Sequence, residues 1–128
     1  MLERVRRRSD PARNDGVIDA HVVSELKSLE SAERPDFFAN LVARYADEAR
    51  TRLGLLKDAI AENSAEALRD HAHALKSDSR AVGAVETARL CERLEMLGRA
   101  GGPLAGSAPI AAELDGSVAR TVGRLRAG

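Results

Sequence analysis

The chain has 128 residues, 44% hydrophobic and 31% charged, which suits one folded domain with a single core and excludes an extended disordered segment. Twenty basic and 20 acidic residues cancel, so no net field draws the molecule to nucleic acid or anionic lipid. One cysteine excludes an internal disulfide, and no apolar run approaches the ~18 residues of a membrane span.

Residues 1–16 carry Arg4, Arg6, Arg7, Arg8 and Arg13, then Pro11 and the turn signal Asn14-Asp15-Gly16. They show no apolar period and are expected to form a flexible basic lead-in or linker, leaving 17–128 as the domain. An arginine-rich start without an apolar segment is unlike a secretory signal, so a cytoplasmic setting is expected.

Five segments then follow a helical period, and none alternates like a strand. Ile18, Val22, Leu26 and Leu29 predict a short amphipathic capping helix ending near Ser31, where His21 has no evident partner. Pro35 suits the first turn of a second helix, along which Phe38, Leu41, Val42, Tyr45, Ala49, Leu53, Leu56 and Ile60 hold one face. Gly54 interrupts that helix and predicts a neighbouring backbone close by. Asn63, with Glu66 three residues on, reads as the N-cap of a third helix with Leu68, Ala72, Leu75 and Ser79 inward and Gly83 at its end.

A fourth helix, from about Ala84 to Gly98, turns Ala88, Cys91 and Leu94 inward, helped by Val85, Leu90 and Leu97. After a loop of Gly101, Gly102, Pro103 and Gly106, a last helix aligns Ile110, Leu114, Val118, Thr121 and Leu125. With only 2% aromatic residues the core must be aliphatic. Short connections and no sheet predict an all-α fold, an antiparallel four-helix bundle with a short N-terminal capping helix.

The chemistry-bearing stretch is 71–84, His-Ala-His-Ala-Leu-Lys-Ser-Asp-Ser-Arg-Ala-Val-Gly-Ala. At about 100° per residue, Ala72 and Leu75 point inward while His73 stands at the edge of the apolar stripe, free to project. Lys76 lies one turn away on the same side, Ser77 is small, and Arg69 and Arg80 add positive potential one and two turns off. A phosphoryl carrier needs an exposed neutral imidazole, a cation for phosphate oxygens and a surface without bulk, and this face offers all three. His71 and His73 are about 200° apart on a helix, so they do not chelate a metal together. Cys91 falls on an inward stripe and is a packing residue.

His73-x-Leu75-Lys76, Gly83-Ala84 ten residues after the histidine, and Leu90-Cys91-x-x-Leu94-Glu95 resemble the signature of histidine-containing phosphotransfer (HPt) domains. The likeness extends over about 17–126. It implies a phosphorelay carrier that accepts a phosphoryl group on His73 from a receiver aspartate and passes it to another receiver. Lys76 would then be the phosphate-facing cation, with Arg69, Ser77 and Arg80 on a docking face built by the second and third helices. Receiver domains of response regulators would be the partners, with a hybrid histidine kinase upstream. No cofactor is expected on this chain; Mg²⁺ would belong to the receiver.

Ser77 stands where the family usually has glycine, and Asp78 where a small or hydroxyl residue is common. These departures leave open a non-catalytic receiver-binding module. A third reading is the phosphoacceptor domain of a larger histidine kinase, with the same chemistry and a different donor.

Overall fold

The computed structural model describes residues 15–127, so most of the expected lead-in lies outside the described residues. The elements are α1 (Ala20–Lys27), α2 (Phe37–Ala61), α3 (Ala65–Ala81), α4 (Val85–Ala100), a 3₁₀ turn (Ala105–Ser107) and α5 (Ala108–Ala127). Helices α2 to α5 form the antiparallel bundle, and no strand occurs among the described residues beyond an isolated bridge between Ser31 and Arg34. The most extensive contact is between α3 and α4. No helix among the described residues is long and apolar enough to cross a membrane.

The core is aliphatic, as the composition requires. Leu56, Leu68, Leu75, Leu94, Leu114 and Leu125 are sealed within it, one or more from each long helix. Burying a leucine fully stabilises by roughly 1.5–3 kcal/mol, so these six supply much of the driving force. Leu68 and Leu75 stand seven residues apart and Leu114 and Leu125 eleven, whole turns of the amphipathic period that made the helices legible. Three hydroxyl contacts cross this interior: Tyr45 shares a 2.8 Å hydrogen bond with Ser79, and Thr87 lies 2.9 Å from Ser117 and 3.2 Å from Thr121. Each satisfies hydroxyls that would otherwise be buried unpaired.

Helix ends depart from the sequence reading in instructive ways. Ser64, not Asn63, caps α3: its hydroxyl accepts from the Ala67 N–H at 3.3 Å. Asn63 takes a left-handed backbone (φ 52°), which asparagine tolerates, and its Oδ1 accepts from the Leu104 N–H at 3.0 Å, pinning the distant loop. Pro35 stays in the turn before α2, which begins at Phe37. Helix α1 stops at Lys27, so Leu29 is exposed rather than on the packed stripe, and Val23 is the buried valine. His21 does have a partner, Glu25 one turn on at 2.8 Å.

The capping role of α1 rests on the turn between α3 and α4. Gly83 sits there at φ 78°, where its carbonyl accepts from the Asp19 N–H at 2.8 Å. A Cβ at this position would come within 3.1 Å of the Asp19 carbonyl and of Val22, so glycine serves both the turn and the close approach. Asp15, placed in the lead-in by the sequence, is tied to this body. It accepts from the Val17 and Ile18 N–H groups and pairs with Arg124 near the end of α5.

Gly54 is the clearest correction. Nothing lies within 4 Å of where its Cβ would be, and the residue is exposed. The close backbone approach is at Gly98 on α4, whose added Cβ would meet the Ala65 carbonyl oxygen and the Arg69 nitrogen at 2.8 Å. The expected end of the fourth helix is thus a crossing point, and the helix runs on to Ala100 before Gly101 closes it in a left-handed turn (φ 71°).

Candidate functional site

His73 lies mid-way along α3, between the buried residues Ala72 and Leu75. Its side chain is 58% exposed, as the helical period predicts. What the period does not show is its partner across the seam. Glu95 of α4, whose side chain is only 3% exposed, places Oε2 3.0 Å from His73 Nδ1.

Glu95 gathers three partners, the His73 imidazole and two cations. Lys76 brings Nζ to 2.5 Å from Oε1, a short ion pair whose angles depart from a well-directed hydrogen bond. Arg99, one turn along α4, donates to Oε2 at 2.7 Å, sharing that oxygen with the imidazole. The Lys76 contact, then those of Arg99 and His73, hold the Glu95 carboxyl down to about 2 against the opposing effect of burial. An ionised carboxylate only accepts hydrogen bonds, so Nδ1 of His73 must carry the proton it donates. In the neutral ring this leaves the lone pair on Nε2.

The three cations expected around His73, namely Lys76, Arg69 and Arg80, therefore occupy different places. The Lys76 side chain is 12% exposed, with its ammonium engaged by Glu95. Arg99 is 63% exposed and was not singled out by the sequence reading. Arg69 contacts Asp70 at 3.1 Å and Glu66 at 3.8 Å, and shares a shallow cavity of about 250 Å³ with Asp70, His73, Glu95 and Arg99. Arg80 is exposed in the last turn of α3.

Ser77 faces the other way, into a groove of about 590 Å³ between α2 and α3. Asp47, Thr51, Arg52 and Leu55 form one wall, and Ala74, Ser77 and Asp78 the other. Asp78 also lines the neighbouring depression with Leu41, Arg44 and Tyr45, so its carboxylate belongs to the α2 side, away from the Glu95 cluster. His71 accepts a 2.9 Å hydrogen bond from Arg52 at Nδ1 and takes no part in the His73 cluster. Burial pushes the Cys91 thiol up to about 12, which removes thiolate chemistry. No cluster of three or more histidine, cysteine or acidic side chains suited to a metal occurs among the described residues.

Glu95 and Arg99 did leave a signal. Glu95 stands four residues after Cys91, on the buried stripe, and a carboxylate there demands a counter-charge. Arg99, four residues further, is its helical neighbour.

The family model for the Hpt domain matches residues 40–126, more than half of the chain. Among solved structures the chain is similar to histidine-containing phosphotransfer protein B (HptB) from Pseudomonas aeruginosa PAO1. That likeness has 26% identity and a TM-score of 0.75, covering 85% of this chain and 90% of that one. It is also similar to the yeast phosphorelay protein YPD1, at 28% identity and a TM-score of 0.63 over 67% of this chain, and spans about half (52%) of the yeast chain. No curated protein matches it in sequence. An exposed histidine backed by a buried carboxylate on an all-helical bundle, together with the family match, leads to one conclusion: the chain belongs to the Hpt domain family.

Proposed function

We propose that this chain, a phosphorelay histidine phosphotransfer carrier, carries its phosphoryl group on Nε2 of His73. The observation that supports this most is the Glu95 contact, which occupies Nδ1 on a ring that is otherwise more than half exposed.

In the forward step the Nε2 lone pair forms the N–P bond as the P–O bond to the receiver's aspartyl carboxylate breaks, and the electron pair leaves with that carboxylate. No proton need leave the ring, because Nε2 is already free. The imidazole becomes cationic, and Glu95, ionised and fixed against Nδ1–H, stabilises that charge. The same geometry serves the reverse step toward a second receiver.

Lys76, the cation expected at the phosphate, keeps Glu95 ionised from below. Direct contact with phosphoryl oxygens falls to the exposed Arg99, with Arg69 across the same shallow cavity. The receiver docks over His73 and the α2–α3 groove, where Ser77 and Ala74 leave room, and brings its own aspartate and Mg²⁺. A hybrid histidine kinase is the upstream source of the phosphoryl group.

Incubating the protein with a phosphorylated receiver tests the reading. Acid-labile, base-stable label is expected on the wild type and none on His73→Gln; ATP alone leaves both unlabelled. Label that survives the substitution, or a wild type that takes none from any cognate receiver, rejects it.

A further inference from the structure

Glycine within a helix is unfavourable and calls for a reason. In α2 and α5, Gly54 and Gly123 have open space where a side chain would begin, and Gly116 faces only the flexible end of Arg120. Gly98 is different. Its added Cβ would lie 2.8 Å from the Ala65 carbonyl oxygen, 2.8 Å from the Arg69 nitrogen and 3.0 Å from the Arg69 Cα. These are backbone atoms of α3, and they cannot turn aside as a side chain does.

The crossing lies beside the reacting group. Gly98 follows Glu95 by three residues and directly precedes Arg99; Arg69 precedes His73 by four. Helix α4 can approach α3 this closely only at a residue without a side chain. The distance so set determines whether a short carboxylate can span the seam to the imidazole. At 3.0 Å the His73–Glu95 contact has little slack, since ~3.2 Å already bounds the usual N–H···O range.

We propose that Gly98 is a positioning residue for phosphoryl transfer: its backbone contact with Ala65 and Arg69 sets the α3–α4 spacing that holds Glu95 on Nδ1 of His73. This rests on the carrier reading for its effect on rate, but not for its effect on the imidazole. A Cβ at Gly98 pushes α4 outward, and Glu95, one turn before the crossing, and Arg99, next to it, move with it.

The test compares Gly98→Ala with Gly123→Ala, a helical glycine whose surroundings are open, reading three quantities on each. These are the imidazole tautomer by ¹⁵N NMR, the rate of label uptake from a phosphorylated receiver, and thermal unfolding. Wild type and Gly123→Ala should show His73 as the Nδ1–H tautomer and take label alike. Gly98→Ala should fold, show a mixed tautomer and take label at least about tenfold more slowly, the order expected for a misplaced catalytic contact. Introduced into Glu95→Leu, it should slow uptake no further, because no acceptor remains to be placed.

A wild-type tautomer and rate in Gly98→Ala overturns the proposal, as does an equal slowing in the Glu95→Leu background. If Gly98→Ala does not fold, Glu95→Leu alone decides: an unchanged tautomer and rate without any acceptor at that position would mean there is no contact for Gly98 to hold. A wild type that takes no label sinks the carrier reading instead, while the tautomer comparison still judges Gly98.

Discussion

On the side of α3 that meets α4, two backbones touch through Gly98, and one buried carboxylate gathers an imidazole, an ammonium and a guanidinium. On the side that meets α2, small side chains leave an open groove with charged walls and no such cluster. His73 stands on the ridge between them. On the proposed function, the tight seam fixes which nitrogen of the ring reacts, and the open groove admits a partner without disturbing it. Recognition and chemistry would then be separately alterable in this bundle.

Emptying the seam should have the largest effect. Glu95→Ala leaves the Lys76 ammonium, 12% exposed, without its counter-charge, and removal of one partner from a buried pair costs about 3 kcal/mol. Chemical denaturation measures this directly; a loss below ~1 kcal/mol would show that Lys76 escapes to water.

Acid should loosen the same seam. The Glu95 carboxyl is held down to about 2 from an ordinary 4.5, so the stability it contributes is fully present above ~4.5 and is lost as pH falls through about 2. Unfolding curves of the wild type and Glu95→Gln should therefore converge as pH drops across that window, and parallel curves would contradict the assignment.

Filling the groove is a smaller change of a different kind. Ser77→Trp should weaken receiver binding about tenfold, or ~1.4 kcal/mol, with the unfolding midpoint unchanged because Ser77 is exposed. Equal affinity would place the docking surface elsewhere. Gly54→Ala should have the smallest effect, raising stability by about 0.5–1 kcal/mol through helix propensity alone, since nothing lies within 4 Å of the added methyl. A destabilised protein would mean that the site is more crowded than it looks.

Much of the bundle was legible because a 3.6-residue period is written locally. The stripe Ile110, Leu114, Val118, Thr121 and Leu125 is buried throughout, and so are Leu68, Ala72, Leu75 and Ser79. Helix ends were less legible. Whether Asn63 or Ser64 caps α3 depends on what Asn63 can bind, and its partner is Leu104, 41 positions away. The two glycines make the same point. Gly54 and Gly98 both interrupt helical stretches, and only the packing of α4 on α3 shows which one is crowded.

The sequence by itself determined a helical bundle, a histidine at the edge of an apolar stripe and the family signature around it. These depend on neighbours within a turn or two, and helical geometry turns such spacing directly into direction. Only the tertiary structure decided that Glu95 lies across the seam from His73, that Lys76 is spent on that carboxylate and that Arg99 is the cation left exposed. The His73–Glu95 and Lys76–Glu95 pairings join α3 to α4, and at hydrogen-bond range a shift of half an ångström in how the helices cross makes or breaks them.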